Sequence, residues 1–592
     1  MRELQPDSIT QHVQQSEQQQ GLSEVHRNQE AEQVLIALQQ TYRVQRLEVH
    51  LIQGLAQVPP TPDRAEAVLV QEEVLLPGPV ETNILIFNKM KKNLIYIFSL
   101  MVINFMYTQD LEDAIRYSSG ETQGTARFKA MSGAFGALGA DISAVSINPA
   151  GSAIFSTSHG VLSASTKTNT KNVSYGNGMA NSSSNNVDLH QIGAAFVFKN
   201  YKKDSFWNKF VFSLFYDRTN DFNTQFSAQG TSNNSISSYF LSNAEGLQLG
   251  NISALEGETI SQAYAGIGSS YGYDHQQAFL GYNSYILEPV SEDLDNINYT
   301  SNIAPGAYNQ QYDYLSLGNS GKFSANIAFQ YNDNISLGLN LNSHFIDFEK
   351  NTFLFEENNN AGSTINEVNF ENKLYTNGEG FSLQLGTIIK LSDAFRFGFS
   401  YDSPTWLTLR EESTQYLSTF SEIDSQGYVV NPTVINIFPE YKLKAPGKIT
   451  GSLAYVVGKL GLISFDYARK NYANTAYDFR NNQINTLLNN TIDENFTVSN
   501  SYRIGGELRQ KKFSFRGGYK MIESPYKDKS LYGDLSGFSL GLGYNFGNSR
   551  LDVAFVNTDR TTSQELYSSG DLGATTVDTN ISDLTISLSI NL

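Results

Sequence analysis

From about residue 158 to the C-terminus, apolar and polar side chains alternate with a period of two in one run after another. The clearest case is KFSANIAFQYNDNISLGLNLNSHF. Phe323, Ala325, Ile327, Phe329 and Tyr331 alternate with polar or small residues, Asn332-Asp333-Asn334 turns the chain, and Ile335, Leu337, Leu339 and Leu341 resume the pattern. Successive side chains of a strand point to opposite faces, so this is a hairpin whose two arms share one apolar face. FSLQLGTIIKLSDAFRFGFSY, ITGSLAYVVGKLGLISFDYA, YRIGGELRQKKFSFRGGYK and FSLGLGYNFGNSRLDVAFV repeat the design.

Between the hairpins lie long polar connections, at roughly 170–186, 228–320, 349–377, 412–439, 476–495, 524–534 and 561–579. Tight turns on one side and long loops on the other are the asymmetry of a membrane barrel. Several runs reach about ten residues, enough for a tilted strand to cross a bilayer and well above the usual soluble length. The terminal DLTISLSINL alternates Leu584, Ile586, Leu588, Ile590 and Leu592 with Thr585, Ser587, Ser589 and Asn591. A closing strand of this kind suits a barrel whose last strand pairs with its first. A soluble propeller or sandwich would bury its apolar face and need no systematically long side. The expected fold class is therefore all-β, a transmembrane antiparallel β-barrel of about 14 strands.

Two segments precede the barrel, which is expected over 158–592. Residues 109–157 contain no useful amphipathic strand and are dense in Gly, Ala and Ser, which let backbones pack closely. Asn148-Pro149 marks a turn within them, because proline keeps the preceding residue out of the helical region. Such a segment can fill a confined space and cannot build a core alone. Residues 90–108, MKKNLIYIFSLMVINFMYT, have the grammar of a secretory signal: two lysines, a short apolar run, then polar residues. Cleavage is expected after Thr108, leaving Gln109 first. Residues 1–89 are Gln- and Glu-rich and nearly free of aromatics. They read as a non-native or disordered upstream extension, with Met90 as the start. A cytoplasmic extension before a signal anchor is the rival, and it needs a longer apolar segment.

Composition narrows the function. The longest apolar run, Leu94 to Met106, is too short for a spanning helix, and mean hydropathy is −0.32. A barrel tolerates this, since only alternate residues meet lipid. The chain holds 33 Tyr, 37 Phe and 46 Gly, which suits strands and turns. A net charge of −18 argues against a nucleic-acid partner, which needs a basic face. With Cys 0 there is no disulfide, thiolate metal site or cysteine nucleophile.

At MSGAFGALGADISAVSINPAGSAIF the chain resembles the FadL/TodX family of outer-membrane transporters of hydrophobic compounds, in its Bacteroidetes-type branch. Asn148, Pro149, Ala150 and Gly151 match the family's Asn-Pro-Ala signature, and RFGFSYDSPTW and YKLKAPGKITGSLAYVVGK add to the likeness. The resemblance covers roughly 109–592. It implies that 109–157 is a hatch plugging the lumen, with a ligand path from the loops into a greasy pocket. Exit would be sideways, through the wall at an inward kink of the third strand. That strand is expected at 209–227, where alternation breaks at Asp217, Arg218, Thr219, Asn220 and Asp221. Charges facing the bilayer midplane cost about 2–4 kcal/mol, so these residues mark either the kink or the headgroup zone. In the long loop 228–320, AYAGIGSSYGYDHQQAFLGYNSYILEPV can form helical lids. Expected partners are a hydrophobic small molecule, outer-membrane lipid and, through the C-terminal strand, the barrel-assembly machinery.

Other motifs have simpler readings. GFSLG at Gly537–Gly541 matches a serine-hydrolase elbow, but Ser539 lies inside an alternating strand rather than a strand-to-helix turn. GLGYNFG at 541–547 has no βαβ unit around it and is no nucleotide loop. The seven histidines form no metal-ligand pair, and His344 reads as a lumen filler. SEDLDNINY lacks the glycine and terminal glutamate of a calcium loop. Trp207 and Trp406 are expected as membrane-interface anchors in opposite aromatic girdles. No catalytic residue, metal site or cofactor is expected. The reading is passive uptake of long-chain fatty acids or aromatic hydrocarbons; the alternative is a surface receptor, for haem for example, with the barrel as anchor.

One consequence is directly measurable: the chain from Gln109 onward should stay monodisperse only in detergent. A monodisperse preparation in plain buffer overturns the barrel.

Overall fold

The computed structural model describes residues 111–202, 205–567 and 572–592. The expected upstream stretch and export signal, 1–89 and 90–108, lie outside the described residues. No described helix is long and apolar enough to cross a membrane.

The alternating runs form a closed antiparallel barrel of 14 strands. They are β1 (His159–Tyr175), β2 (Gly178–Lys199), β3 (Trp207–Asp221, resuming as Thr224–Ser232), β4 (Tyr308–Tyr331), β5 (Ile335–Glu357), β6 (Glu367–Lys390) and β7 (Phe395–Asp402, resuming as Thr405–Ser421). Then come β8 (four pieces, Gln426–Val430 to Lys448–Val457), β9 (Gly461–Asn471), β10 (Val498–Gln510), β11 (Phe513–Ile522), β12 (Leu535–Asn545), β13 (Ser549–Glu565) and β14 (Ala574–Asn591). Closure runs from His159↔Asn591 to Ser174↔Thr576, so the terminal strand does pair with the first.

Burial is inverted relative to a soluble protein. Leu162, Leu214, Phe323, Leu341, Leu385, Leu453, Ile504, Leu540 and Leu588 are exposed on the outer face. At neighbouring positions Asn326, Asn340, Gln384, Ser400 and Asp466 are buried in the lumen. This is the arrangement hydrocarbon demands of a strand wall.

Several strands run further than the side-chain pattern suggests. The expected connection at 170–186 is instead a continuation of β1 and β2, paired up to Tyr175↔Gly178 and joined by a tight turn. Beyond the bilayer both faces meet water, so apolar alternation stops while backbone pairing continues. The connection at 349–377 shortens in the same way, because β5 reaches Glu357 and β6 begins at Glu367.

Residues 111–157 lie in the lumen. They form α1 (Leu111–Ser118), α2 (Ala126–Lys129), α3 (Ile142–Val145) and a 3-10 turn over Pro149–Ile154. Wall glycines make room for them. Gly338 and Gly386 face each other on β5 and β6. A Cβ on the first would collide with the Pro149 carbonyl carbon, and on the second with Asn148 Oδ1. Gly505 and Gly518, paired on β10 and β11, likewise receive Met131.

At the loop end, 228–320 contains α4 (Ser237–Ala244), α5 (Ile260–Tyr271) and α6 (Tyr273–Asn283). The expected helical stretch is thus helical, and Thr259 and Gln262 close a capping box at the start of α5. Phe240, Tyr264, Phe279 and Phe370 are fully buried in the core these helices share with the upper strands. A further helix, α7 (Asn482–Asn495), occupies the connection after β9.

Gly505→Val should push Met131 off the wall while leaving strand pairing intact. The expected result is a barrel that still migrates as a folded species in an unheated gel but shows raised ion conductance in a planar bilayer.

Candidate functional site

The luminal segment is tied to the wall on every side. Asp466 Oδ2 accepts the backbone N–H groups of Phe135 and Gly136, each at 2.9 Å. Ser587 accepts from Ala126 N at 2.7 Å. Wall amides and a hydroxyl donate to luminal carbonyls: Asn340 to Val145, Gln384 to Ser146 and Ser400 to Ile147, all at 2.8 Å. Ion pairs join Arg127 to Glu507 (3.1 Å) and Lys129 to Asp583 (2.8 Å). Glu507 also receives Arg516 at 2.6 Å, which compensates a carboxylate that would be costly to bury alone.

Asn148 caps the 3-10 turn by accepting from Ala150 N at 3.1 Å. Its amide donates to the carbonyls of Gly136 (2.8 Å) and Thr387 (2.9 Å), locking two parts of the segment to β6. Pro149 and Ala150 sit over Gly338, and the Gly151 carbonyl accepts from Ala140 N at 3.0 Å. The four signature residues therefore form one docking element. Ser539, the elbow serine, points inward as an anchor, accepting from Ser132 N at 3.1 Å. RFGFSYDSPTW and YKLKAPGKITG lie side by side, with Asp402↔Lys448 and Thr405↔Ala445 flanking Pro404 and Pro446. Neither proline donates to the ladder, so both strands break there.

The wall is also interrupted at β3. The β2–β3 ladder runs from Lys199↔Lys209 to Gln191↔Asp217 and stops, while β1 and β2 stay paired beyond it. A register shift against β4 falls between Arg218 and Asn220. Asp217 and Arg218 are buried and turned inward rather than into lipid. Asp217 accepts from Gln191 at 2.7 Å and from Ser146 of the luminal segment. Arg218 pairs with Asp188 and, at 3.0 Å, with Asp221. The carbonyls of Thr219 and Arg218, which β2 leaves open, accept from Glu121 N (3.1 Å) and Gln123 N (3.3 Å). Asn220 donates to the Arg116 carbonyl at 3.4 Å. The stretch singled out for a broken alternation is thus the place where the luminal segment bonds to the β3 edge in place of a neighbouring strand.

Above the docked segment is a cavity of about 550 Å³, bounded toward the loops by Tyr117 at the end of α1. Its lining is mixed rather than uniformly greasy. Lys322, His344, Lys448, Lys470, Arg503 and Lys520 face it. Ile346, Leu407, Ile522 and Val556 lie among them, so charged and apolar side chains share the lining. The aromatic cluster lies nearer the loops, where Tyr117 and Phe222 pack edge-on against Phe348 at 6.1 and 5.2 Å. His344, expected as lumen filler, bonds Ser382 Oγ at 2.8 Å. Among the described residues no group of metal-ligating side chains comes together.

Trp207 and Trp406 are both half-exposed on the outer face. Trp207 packs against Tyr331 at 5.3 Å beside the β4–β5 turn. From Phe395 at the turn end to Trp406, β7 rises roughly 28 Å along the axis at ordinary tilt, close to the height of an apolar band.

A closed barrel with polar lumen, apolar exterior and an N-terminal segment docked inside defines an outer-membrane β-barrel of the plugged class. The model of the family described as outer membrane protein transport protein (OMPP1/FadL/TodX) matches residues 296–588. The chain belongs to that family and is an outer-membrane protein. No curated protein matches the sequence. Solved structures align with the chain at low identity. A Pseudomonas aeruginosa FadL homologue is 11% identical, with TM-score 0.48, over 80% of this chain and 100% of its own. The Pseudomonas putida toluene transporter TodX is 14% identical, with TM-score 0.44, over 80% and 100%. The Ralstonia pickettii toluene transporter TbuX is 12% identical, with TM-score 0.40, over 80% and 99%.

Glu121 bridges Arg503 and Lys520, each at 2.7 Å. Burial alone would raise its carboxyl, but the Lys520 and Arg503 charges reverse this and hold it at about 2, below the ordinary 4.5. A depressed carboxylate contributes stability above its unfolded pKa and loses it as pH falls toward the folded one. Hydrogen-exchange protection of 119–124 should therefore be constant from pH 7 to about 5 and fall between about 4.5 and 2. Glu121→Gln should remove that pH dependence.

Proposed function

We propose that the protein is a passive channel carrying hydrophobic small molecules, such as long-chain fatty acids or aromatic hydrocarbons, across the outer membrane. Ligand enters at the loop end, reaches the cavity beside α1 and leaves sideways between β2 and β3. The observation that carries this reading is the β2–β3 ladder ending at Gln191↔Asp217 in an otherwise closed wall.

Energetics favour the lateral route over the axial one. Removing the hatch from the lumen would break the Asp466, Ser587, Asn340, Gln384 and Ser400 hydrogen bonds and both ion pairs. At about 0.5–1.5 kcal/mol per hydrogen bond, and more for buried pairs, that is roughly 10 kcal/mol. Freeing the β3 edge breaks two backbone hydrogen bonds, at 121 and 123, and the Ser146–Asp217 and Asn220–Arg116 bonds, and rearranges Arg218 against Asp188. That cost is about 3–7 kcal/mol, still below that of removing the hatch, which breaks the same bonds as well. Asn148–Gly151 then hold the hatch in place while Asp217–Asn220 form the exit, and no chemical step is required. The α5–α6 helices serve as lids over the mouth.

The chain lacks cysteine, so an introduced pair is the only thiol present. Asp188→Cys with Arg218→Cys, joined through two disulfides by a short bis-methanethiosulfonate that loses sulfinate at each end, should abolish uptake of labelled fatty acid or toluene by whole cells and recover it on reduction. Undiminished uptake across the closed link would overturn the lateral route. Deleting 131–151 should raise conductance and alter uptake; unchanged values would show that the hatch gates nothing.

A further inference from the structure

The two ends of the barrel carry opposite charge. The long loop 228–320 contains no lysine or arginine, while Glu245, Glu256, Glu258, Glu288, Glu292 and Asp293 are among its acids. The turn end is basic even though the chain's net charge is −18. There Lys199 closes β2 and Lys390 closes β6, while Lys209 and Arg396 lie near the starts of β3 and β7. Strand register opposes them directly, Lys199 to Lys209 and Lys390 to Arg396. Like charges facing each other across a ladder destabilise it, yet the same placement recurs on two separate hairpins.

All four residues border the mouth of the lumen rather than the bilayer. They share parity with the buried Ala195, Val211, Ile388 and Ser400, whereas the adjacent Phe198 and Phe395 are exposed on the outer face. Lys209 senses the charges of Lys390 and Lys199, Lys390 senses Arg396, and Arg396 senses Arg509 on β10. The cations therefore form one arc around the mouth. Little on the chain neutralises it. Glu507 is shared by Arg127, Arg509 and Arg516, and Asp552 by Arg516 and Arg550. Asp333 and Asp393 are within range but sit exposed on the turns, and Asp333 also receives the Asn208 amide at 3.1 Å. Among the described residues, the Lys199 and Lys390 side chains have no hydrogen bond or ion pair. Lys209 and Arg396 instead hold the underside of the hatch, donating to the carbonyls of Phe155 (2.7 Å) and Leu138 (3.2 Å).

We propose that this basic mouth is a docking surface for a periplasmic protein that presents an acidic face, with Lys199, Lys209, Lys390 and Arg396 as its contacts. The turn end of an outer-membrane barrel faces the periplasm, so a soluble partner can reach it. Inward parity sets the arc apart from the annular lipid headgroups, which meet the aromatic outer positions. From β2 to β7 is five strand spacings, roughly 24 Å along the wall, which is too wide for one small anion and suits a row of carboxylates. Because Lys209 and Arg396 also hold the hatch, a docked partner touches the plug from below. The inference needs only the orientation of the barrel and is independent of the lateral route.

The test uses the barrel in nanodiscs of zwitterionic lipid at low salt, with a fluorescent Glu-Ser repeat peptide as probe and a Gln-Ser repeat as neutral control. By fluorescence anisotropy the acidic peptide should bind about tenfold or more tightly than the neutral one, and the difference should shrink as salt is added. Lys199→Gln with Lys390→Gln should weaken the acidic peptide about fivefold or more, while Lys511→Gln with Lys512→Gln, in the β10–β11 turn, should change it less than about twofold. A thiol-reactive photocrosslinker placed at Lys199→Cys should capture the peptide, and one at Ser291→Cys in the long loop should not. Equal binding of the two peptides, equal loss in the two double variants, or capture only from the loop position overturns the docking surface. So does loss of peptide binding when the discs contain phosphatidylglycerol, since lipid headgroups then occupy the mouth. None of these outcomes bears on uptake, which the β2–β3 link tests separately.

Discussion

A strand in hydrocarbon has no water to satisfy its amide groups, and most of this architecture follows from that constraint. The wall must close, so β14 pairs with β1 along nearly its whole length. Its outer side chains must be apolar, which leaves Leu, Ile and Phe exposed in alternation. The inner positions are then free to be polar. At one place the wall relaxes the rule: beyond Asp217 the backbone ladder between β3 and β2 stops. The carbonyls released there are turned inward and met by the amides of Glu121 and Gln123. The luminal segment is therefore part of the barrel's own hydrogen-bond accounting, and the wall and its contents form one system.

The polar lumen accomplishes two different things. Near the turn end, side chains of the wall satisfy backbone groups of the luminal segment, as one Asp466 oxygen does for both Phe135 and Gly136. Paired glycines let the segment approach to backbone contact, which removes space for water and strengthens those bonds. Higher up, the same kind of inward position lines open space with charged side chains. Glu121 connects the two zones. Its carboxylate lies among the cavity cations while its backbone closes the β3 edge. Whatever competes for Lys520 and Arg503 thereby also acts on the wall interruption, through a single residue.

Much of the barrel is legible in the order of the residues. Period-two alternation around Asn332–Asn334 locates a hairpin, and the same rule counts the strands. The broken alternation at Asp217–Asn220 finds the interruption, because a charged pair is costly wherever a side chain must face lipid. The pattern misleads where side chains and backbone pairing part company. The stretch 170–186 looks like a loop because both faces are polar, yet it belongs to a continuous hairpin. The elbow-like Ser539 and the glycines of β5, β6, β10 and β11 carry no signal of their role, since each acts on a residue hundreds of positions away.

The sequence alone determined the side of the wall each strand residue faces, because that depends only on parity along the strand and on which neighbours are apolar. It also marked 109–157 as a segment that can fill a confined space and cannot build a core alone, since it is dense in small residues. Only the tertiary structure decided which inward residues meet. Strand register sets Lys448 against Lys470 and Gly338 against Gly386, and a shift of one residue would undo both. Register is fixed by the whole closed ladder, a property no single strand carries, and so the charged cavity and the docking grooves appear only once the barrel is complete.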